Sequence, residues 1–178
     1  MAKGLRPARC YRWDSPTYTR ISKNPGDSYI TGIPGNKIVH FCAGKPENFK
    51  KEISIVYEER IMVRHNALDA SRIAANKVLE EKIGQNFSLL VRTYPHHVMR
   101  ENTMASGAGA DRVQEGMRLS FGKPVGRAAK LYKNQKIISV FVNEKDVEAA
   151  KSAAEKACFK LPGRKHITVE DNKLEKNL

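Results

Sequence analysis

Residues 52–93 read EISIVYEERIMVRHNALDASRIAANKVLEEKIGQNFSLLVRT, and the hydrophobic period changes twice along them. From Glu52 to Val63 apolar residues alternate through Ile53, Ile55 and Tyr57 and resume at Ile61 and Val63, the two-residue repeat of one long or bulged strand. Asn66 then stands where a helix cap belongs, with Asp69 in the first turn. Beyond it Ala67, Leu68, Ala74, Ala75, Val78, Leu79 and Ile83 take helical spacing on one face, and Gly84 supplies the stop. Phe87–Thr93 reads as a buried strand.

Outward from this segment the pattern weakens on the N-terminal side and recurs on the C-terminal side. Ser28–Ile33 and Lys37–Cys42 carry β-branched residues on either side of Pro34-Gly35-Asn36, which predicts a hairpin. Residues 1–27 hold Pro7, Pro16 and Pro25 and show neither period, so they read as an irregular basic arm. Residues 96–116 have almost no large apolar side chain and are too long for an ordinary connection, which predicts an extended functional loop. Met117–Phe121 and Lys136–Val142 are strand candidates. Between them Gly122-Lys-Pro-Val-Gly-Arg127 reads as a basic turn whose glycines let backbone approach a partner. A second helix is expected from a cap at Asn143, with Asp146 in its first turn, through Val147, Ala150, Ala154, Ala157 and Cys158 towards Leu161, ended by Pro162-Gly163. Its alanine stripe allows close approach to a sheet. His166, Ile167 and Val169 suggest an edge strand, and residues 171–178 should fray. Strands alternating with only two helices make the expected fold α+β: mixed or antiparallel sheets with two helices packed on them, in one domain over residues 1–178.

The 178 residues carry 32 Lys+Arg against 19 Asp+Glu, a net charge of +13, and the excess is not spread evenly. Residues 1–37 and 93–136 hold ten of the thirteen surplus charges, while 38–92 and 137–178 are nearly balanced. The balanced segments are those with strand and helix periods. A near-neutral body with basic, irregular extensions suits a phosphate-rich polymer better than a flat anionic surface, and solubility alone does not call for such segregation. Within the arm, Arg6, Arg9 and Arg12 recur every third residue, which would place three guanidinium groups on one side of a polyproline II segment. Tyr11, Trp13 and Tyr18 lie between and beyond them as stacking faces for unpaired bases, unless they plug into the core, as at least one ring should.

Other chemistries find little support. Cys10, Cys42 and Cys158 are odd in number and far apart, which indicates neither a disulfide framework nor a zinc ribbon, and Cys158 is better read as a small buried residue than as a nucleophile. No stretch approaches 18 apolar residues and Met1–Arg12 has no apolar h-region, so neither membrane spanning nor secretion is expected. There is no G-x-S-x-G, H-E-x-x-H or Walker A motif, and Gly107-Ala-Gly109 lacks the third glycine of a dinucleotide fingerprint. His96 and His97 could join His40 or Cys42 around a metal, but adjacent histidines cannot easily serve one ion, and stacking on RNA or hydrogen bonding to it is the better reading. No catalytic residue, metal, cofactor or small-molecule substrate is expected.

Six motifs then converge: Pro7-Ala-Arg-Cys-Tyr-Arg12, Arg92-Thr-Tyr-Pro-His-His-Val98, Met104-Ala-Ser-Gly-Ala-Gly-Ala-Asp-Arg112, Gly116-Met-Arg118, Phe121-Gly-Lys-Pro-Val-Gly-Arg127 and Phe159-Lys-Leu-Pro-Gly-Arg164. In collinear order over nearly the whole chain, the sequence resembles the archaeal and eukaryotic large-subunit ribosomal protein L-ten-e family, counterpart of bacterial L-sixteen. The chain ends soon after its last helix, without the longer tail usual in eukaryotic members, which points to the archaeal side. The resemblance implies an α/β-hammerhead type sandwich lodged in large-subunit rRNA between the A-site finger and the approach to the peptidyl-transferase centre, bound to the ribosome in the cytoplasm. Its partners would be rRNA, tRNA and neighbouring large-subunit proteins, and peptide transfer would belong to the RNA. The expected rRNA contacts are Lys3, Arg6, Arg9, Tyr11, Arg12, Trp13, Arg20, Lys23, Arg92, His96, His97, Arg118, Lys123, Arg127, Lys130, Arg164 and Lys165. The loop from Arg100 to Arg112, with Asn102, Met104, Ser106, Gly107, Gly109 and Asp111, would face tRNA, with Arg100 and Arg112 pairing phosphates and Asp111 orienting one arginine. The alternatives are a free-standing RNA-binding or RNA-modifying protein, for which no cofactor motif is present, and a DNA-binding protein. A groove-reading helix does not fit the mixed charges at Lys77, Glu80, Glu81, Lys151 and Glu155.

Overall fold

The computed structural model describes residues 6–11, 13–19, 24, 26, 29–105 and 107–172. Its strands are, in chain order, β1 (Cys42–Gly44), β2 (Lys51–Tyr57), β3 (Ile61–Arg64), β4 (Ser88–Val91), β5 (His97–Glu101), β6 (Lys123–Leu131), β7 (Lys136–Val142) and β8 (Lys165–Asp171). The helices are α1 (His65–Ile83), the single turn α2 (Ala110–Val113) and α3 (Val147–Cys158). Five strands form one sheet in the order β1-β4-β7-β2-β8 and three form another in the order β3-β6-β5. All pairs are antiparallel, so the α+β expectation holds in its antiparallel form.

Residues 52–63 are two strands in two sheets, not one. β2 is buried on both faces from Glu52 to Tyr57, so either face would have to swallow a charge if the strand ran on through Glu58-Glu59-Arg60. Those three residues are exposed, the chain turns there, and Ile61 restarts in the smaller sheet against Leu131. The expected bulge does exist, as a register shift between Ile55 and Val56.

The main core lies between the five-stranded sheet and the two long helices. Ile53, Ile55 and Tyr57 of β2, Leu89 of β4 and Val140 and Val142 of β7 meet Leu68, Ala75 and Leu79 of α1 and Ala150, Ala153, Ala154 and Ala157 of α3. Four buried alanines in twelve residues leave no side-chain bulk between α3 and its neighbours, so it seats against both α1 and β2. Gly84 stops α1 at φ 72°, its N–H donating to the Glu80 carbonyl. The caps differ from expectation: Arg64 precedes α1 and Asp146 precedes α3, and neither makes a side-chain cap bond. Asn143 instead opens a 3₁₀ turn over Glu144–Asp146.

Three further expectations fail. Residues 29–33 and 37–41 form no hairpin: Ile30 and Ile38 are buried individually, and β1 pairs with β4. Met117–Phe121 is no strand. β6 already has β3 on one side and β5 on the other, so no edge is open to it, and Gly116 and Leu119 turn the chain at φ 59° and 54°. Gly122–Arg127 is not a turn, because β6 begins at Lys123 and runs through it. The glycine there does permit close approach, but to the protein's own β5: a Cβ on Gly122 would stand 2.6 Å from the Glu101 carbonyl carbon. The irregular stretch expected over 96–116 begins only at Asn102, since His97–Glu101 is β5, paired with β6. The edge strand at 166–169 is present as β8.

Candidate nucleic-acid interface

The described part of the arm is not a polyproline II segment: Ala8–Cys10 is a 3₁₀ turn. It is fastened to the three-stranded sheet, where Ala8, Tyr11 and Trp13 pack against a small second core of Met62, Met99 and Ala128. Lys130 of β6 donates from Nζ to the Trp13 carbonyl at 3.0 Å and to the Ser15 carbonyl. Burial lowers its pKa while nearby Asp14 opposes the shift. The Tyr11 hydroxyl donates to Glu101, and burial first, then this bond and the carboxylate's charge, push the phenol above its usual range. Tyr18 clasps the start of β5, its N–H donating to His97 Nδ1 at 3.0 Å and its carbonyl accepting from Val98 N–H at 2.7 Å.

His97 therefore cannot stack on RNA. It is buried, and burial, with Lys130 and Arg100 nearby, lowers its pKa to about 4, so the ring is a neutral acceptor for the arm. His96 is exposed and leans on Tyr94 with ring centroids 4.6 Å apart. Arg100 belongs to β5, and its guanidinium lies 4.4 Å from the Tyr18 ring centroid and 3.8 Å from that of Phe121. Arg127 donates to the Pro34 carbonyl at 3.0 Å and to the Tyr94 hydroxyl. Lys165 ties down the turn that follows α3, donating to the Leu161 and Gly163 carbonyls at 2.8 and 3.0 Å. Arg92 donates to Ser139 at 2.6 Å and to Glu52 at 2.8 Å. Burial of Glu52 works against its ionisation. Hydrogen bonds from Ser54 and Ser139 and the charges of Arg92 and Lys136 outweigh it, bringing the carboxyl to about 2.

The expected cations thus divide in two. Lys130, Arg100, Arg127 and Lys165 are spent on internal geometry, and Arg92 is exposed while bonded to Ser139 and Glu52. Arg6, Arg9, Arg112, Lys123 and Arg164 are exposed with no side-chain ion pair among the described residues, and Arg118 is exposed but paired with Glu115 at 2.6 Å. Lys3, Arg12, Arg20, Lys23 and Ser106 lie outside the described residues. In the loop, Gly107 and Gly109 take φ 127° and 78°, and the Ala105 N–H donates to Gln114 Oε1 at 2.7 Å, closing its base. Met104, Gly107, Gly109, Asp111 and Arg112 are exposed, and Asn102 is half-buried. Among the described residues Asp111 pairs with neither Arg100 nor Arg112.

Sequence reasoning missed Arg60, Arg64, Phe159 and Lys160, which surround a cleft between the arm and the end of α3. The first two stand in or beside what was read as one continuous strand. Phe159 lies between Cys158 and Leu161, off the apolar stripe of the helix, and is 81% exposed.

A family model described as ribosomal protein L16p/L10e matches residues 14–168. The chain belongs to that family. It is a family of structural ribosomal proteins and not of enzymes. A protein of Methanococcus maripaludis called large ribosomal subunit protein uL16 is 45% identical over 172 residues, covering 95% of this chain and 96% of the relative. Proteins of the same name are 46% identical in Methanoculleus marisnigri, over 93% of this chain and 95% of theirs, and 49% identical in Methanospirillum hungatei, over 80% and 85%. All three are archaeal, as the resemblance implied.

Proposed function

We propose that the chain is a structural component of the large ribosomal subunit, held on large-subunit rRNA by its outward cations. The observation that carries this reading is the division of the basic residues. Lys130 bolts an otherwise irregular arm to the three-stranded sheet, which leaves Arg6 and Arg9 outward on a supported backbone, while Arg164 and Lys123 are exposed elsewhere on the protein. Docking the arm before RNA arrives reduces the ordering cost of binding, and exposed guanidinium forks suit phosphate oxygens. Relatives named as large-subunit proteins over almost their full length support the same reading. Its place would be ribosome-bound in the cytoplasm, next to other large-subunit proteins; no described helix is long and apolar enough to cross a membrane. The finer position, near the A-site finger and the approach to the peptidyl-transferase centre, rests on the family resemblance.

The same proposal assigns the loop 102–112 to tRNA. Its exposed glycines admit a backbone closely, and Arg112 is its exposed cation; Arg100, held between two rings, positions the root of the loop. Sedimentation of a lysate at low and high salt tests the first part: co-migration with large subunits, partly lost as salt rises, is expected, and a protein found only in the unassociated fraction at low salt overturns it. For the loop, Arg112→Ala should weaken tRNA binding to assembled subunits while leaving the protein's incorporation intact; unchanged tRNA binding removes the assignment.

A further inference from the structure

The cleft between the arm and the end of α3 has a volume of about 610 Å³, within the roughly 300–1,000 Å³ of pockets that enclose small ligands. Its floor is apolar, with Ile61, Met62 and Leu161. Among the described residues its rim carries Arg9, Arg60, Arg64 and Lys160 and not one acidic residue. Besides Tyr11, whose hydroxyl is held by Glu101, two aromatic walls face into this setting. One is Trp13, with the Arg60 guanidinium 5.3 Å from its ring centroid; the other is Phe159, a large apolar side chain left exposed where the neighbouring Leu161 is buried.

An apolar floor inside a purely cationic rim calls for a ligand that is apolar and flat at one end and anionic at the other. A free fatty chain would give the flat faces of the cleft no planar partner, and an acidic peptide would leave the aromatic walls bare. A duplex keeps its bases paired and stacked and cannot insert one. We propose that this cleft accepts a single unstacked nucleotide of an RNA strand, its base against Phe159 and the Trp13–Arg60 stack and its phosphate on the rim. The inference deepens the rRNA-binding reading above and rests on it.

Trp13 is the only tryptophan of the chain, so intrinsic tryptophan emission reports on this cleft and on the arm that lines it. The full-length protein is titrated with an eight-nucleotide oligoadenylate and with an abasic ribose-phosphate oligomer of equal length and charge. Saturable change of Trp13 emission with the first, and binding about five-fold or more weaker with the second, is expected from the strength of one base–aromatic stack. Phe159→Ala removes an exposed ring and should leave thermal unfolding unchanged while removing that preference. Equal binding of the two oligomers, or emission that does not move while RNA binds, overturns the cleft assignment and leaves the rRNA reading standing. Failure to bind any RNA at low salt sinks both. An apolar peptide that shifts the emission more strongly than oligoadenylate would overturn it in favour of a protein occupant.

Discussion

His97 is nearly solvent-free, and its Nδ1 receives the Tyr18 N–H, so the arm depends on a neutral imidazole. Its pKa in the fold is about 4 against 6.5 unfolded, a depressed value. The unfolded chain therefore takes up the proton first: stability is complete above pH 6.5 and falls between 6.5 and about 4, by on the order of 2–3 kcal/mol. Urea unfolding across that window should show the loss, and His97→Asn, which keeps an acceptor but cannot titrate, should flatten it. Glu52 adds a second acid limb lower down, because its carboxyl at about 2 against 4.5 is stabilising above pH 4.5 and loses that contribution as pH falls towards 2. Lys130 is the arm's other anchor. Lys130→Met removes two charge-assisted bonds to main-chain carbonyls, which should loosen the arm by about 2 kcal/mol. Limited proteolysis within residues 6–19 and red-shifted Trp13 emission would report it, while the core melts as before.

At the scale of elements, tight joints matter more than propensities. Gly44, the last residue of β1, has φ 86°, and a Cβ there would stand 2.1 Å from the Phe87 carbonyl oxygen. Gly44→Ala should therefore cost about 2–4 kcal/mol, from backbone strain and displacement of β4's entry, and differential scanning calorimetry would measure it. The α1–α3 contact is limited by volume and not by backbone conformation. Ala154→Leu pushes a larger side chain into a fully packed seam and should destabilise by about 1–3 kcal/mol, seen as a lower denaturation midpoint with an unchanged slope. Helix positions were legible because two long stripes repeat cleanly. The strand breaks at Glu58-Glu59-Arg60 and at Gly116–Leu119 were not, because the first needs to know that β2 is covered on both faces and the second that β6 has no open edge.

For the whole molecule, a net charge of +13 divides into cations that shape the protein and cations that face outward. The two groups should separate by measurement. Arg9→Ala and Arg164→Ala should each lower the slope of log affinity for rRNA against log salt by about 0.7–0.9 with little change in melting temperature. Lys165→Ala should do the reverse, lowering the melting temperature by removing two bonds to main-chain carbonyls of the turn after α3 while the salt slope holds. Filter binding at several salt concentrations, beside thermal unfolding, distinguishes them. Equal slopes for all three variants would mean that exposure does not sort the cations by role.

Periodicity by itself determined the α+β class, the two long helices and strands close to those observed at 88–91, 136–142 and 165–171, because each depends on local spacing, and six motifs in collinear order pointed to the family. Only the tertiary structure decided which basic residues remain for a partner. Arg9 and Lys130 have the same sign of charge and lie in equally basic segments, and what separates them is whether a carbonyl from a distant part of the chain comes within reach of the side chain. That contact is made between residues more than a hundred positions apart, and no local pattern encodes it.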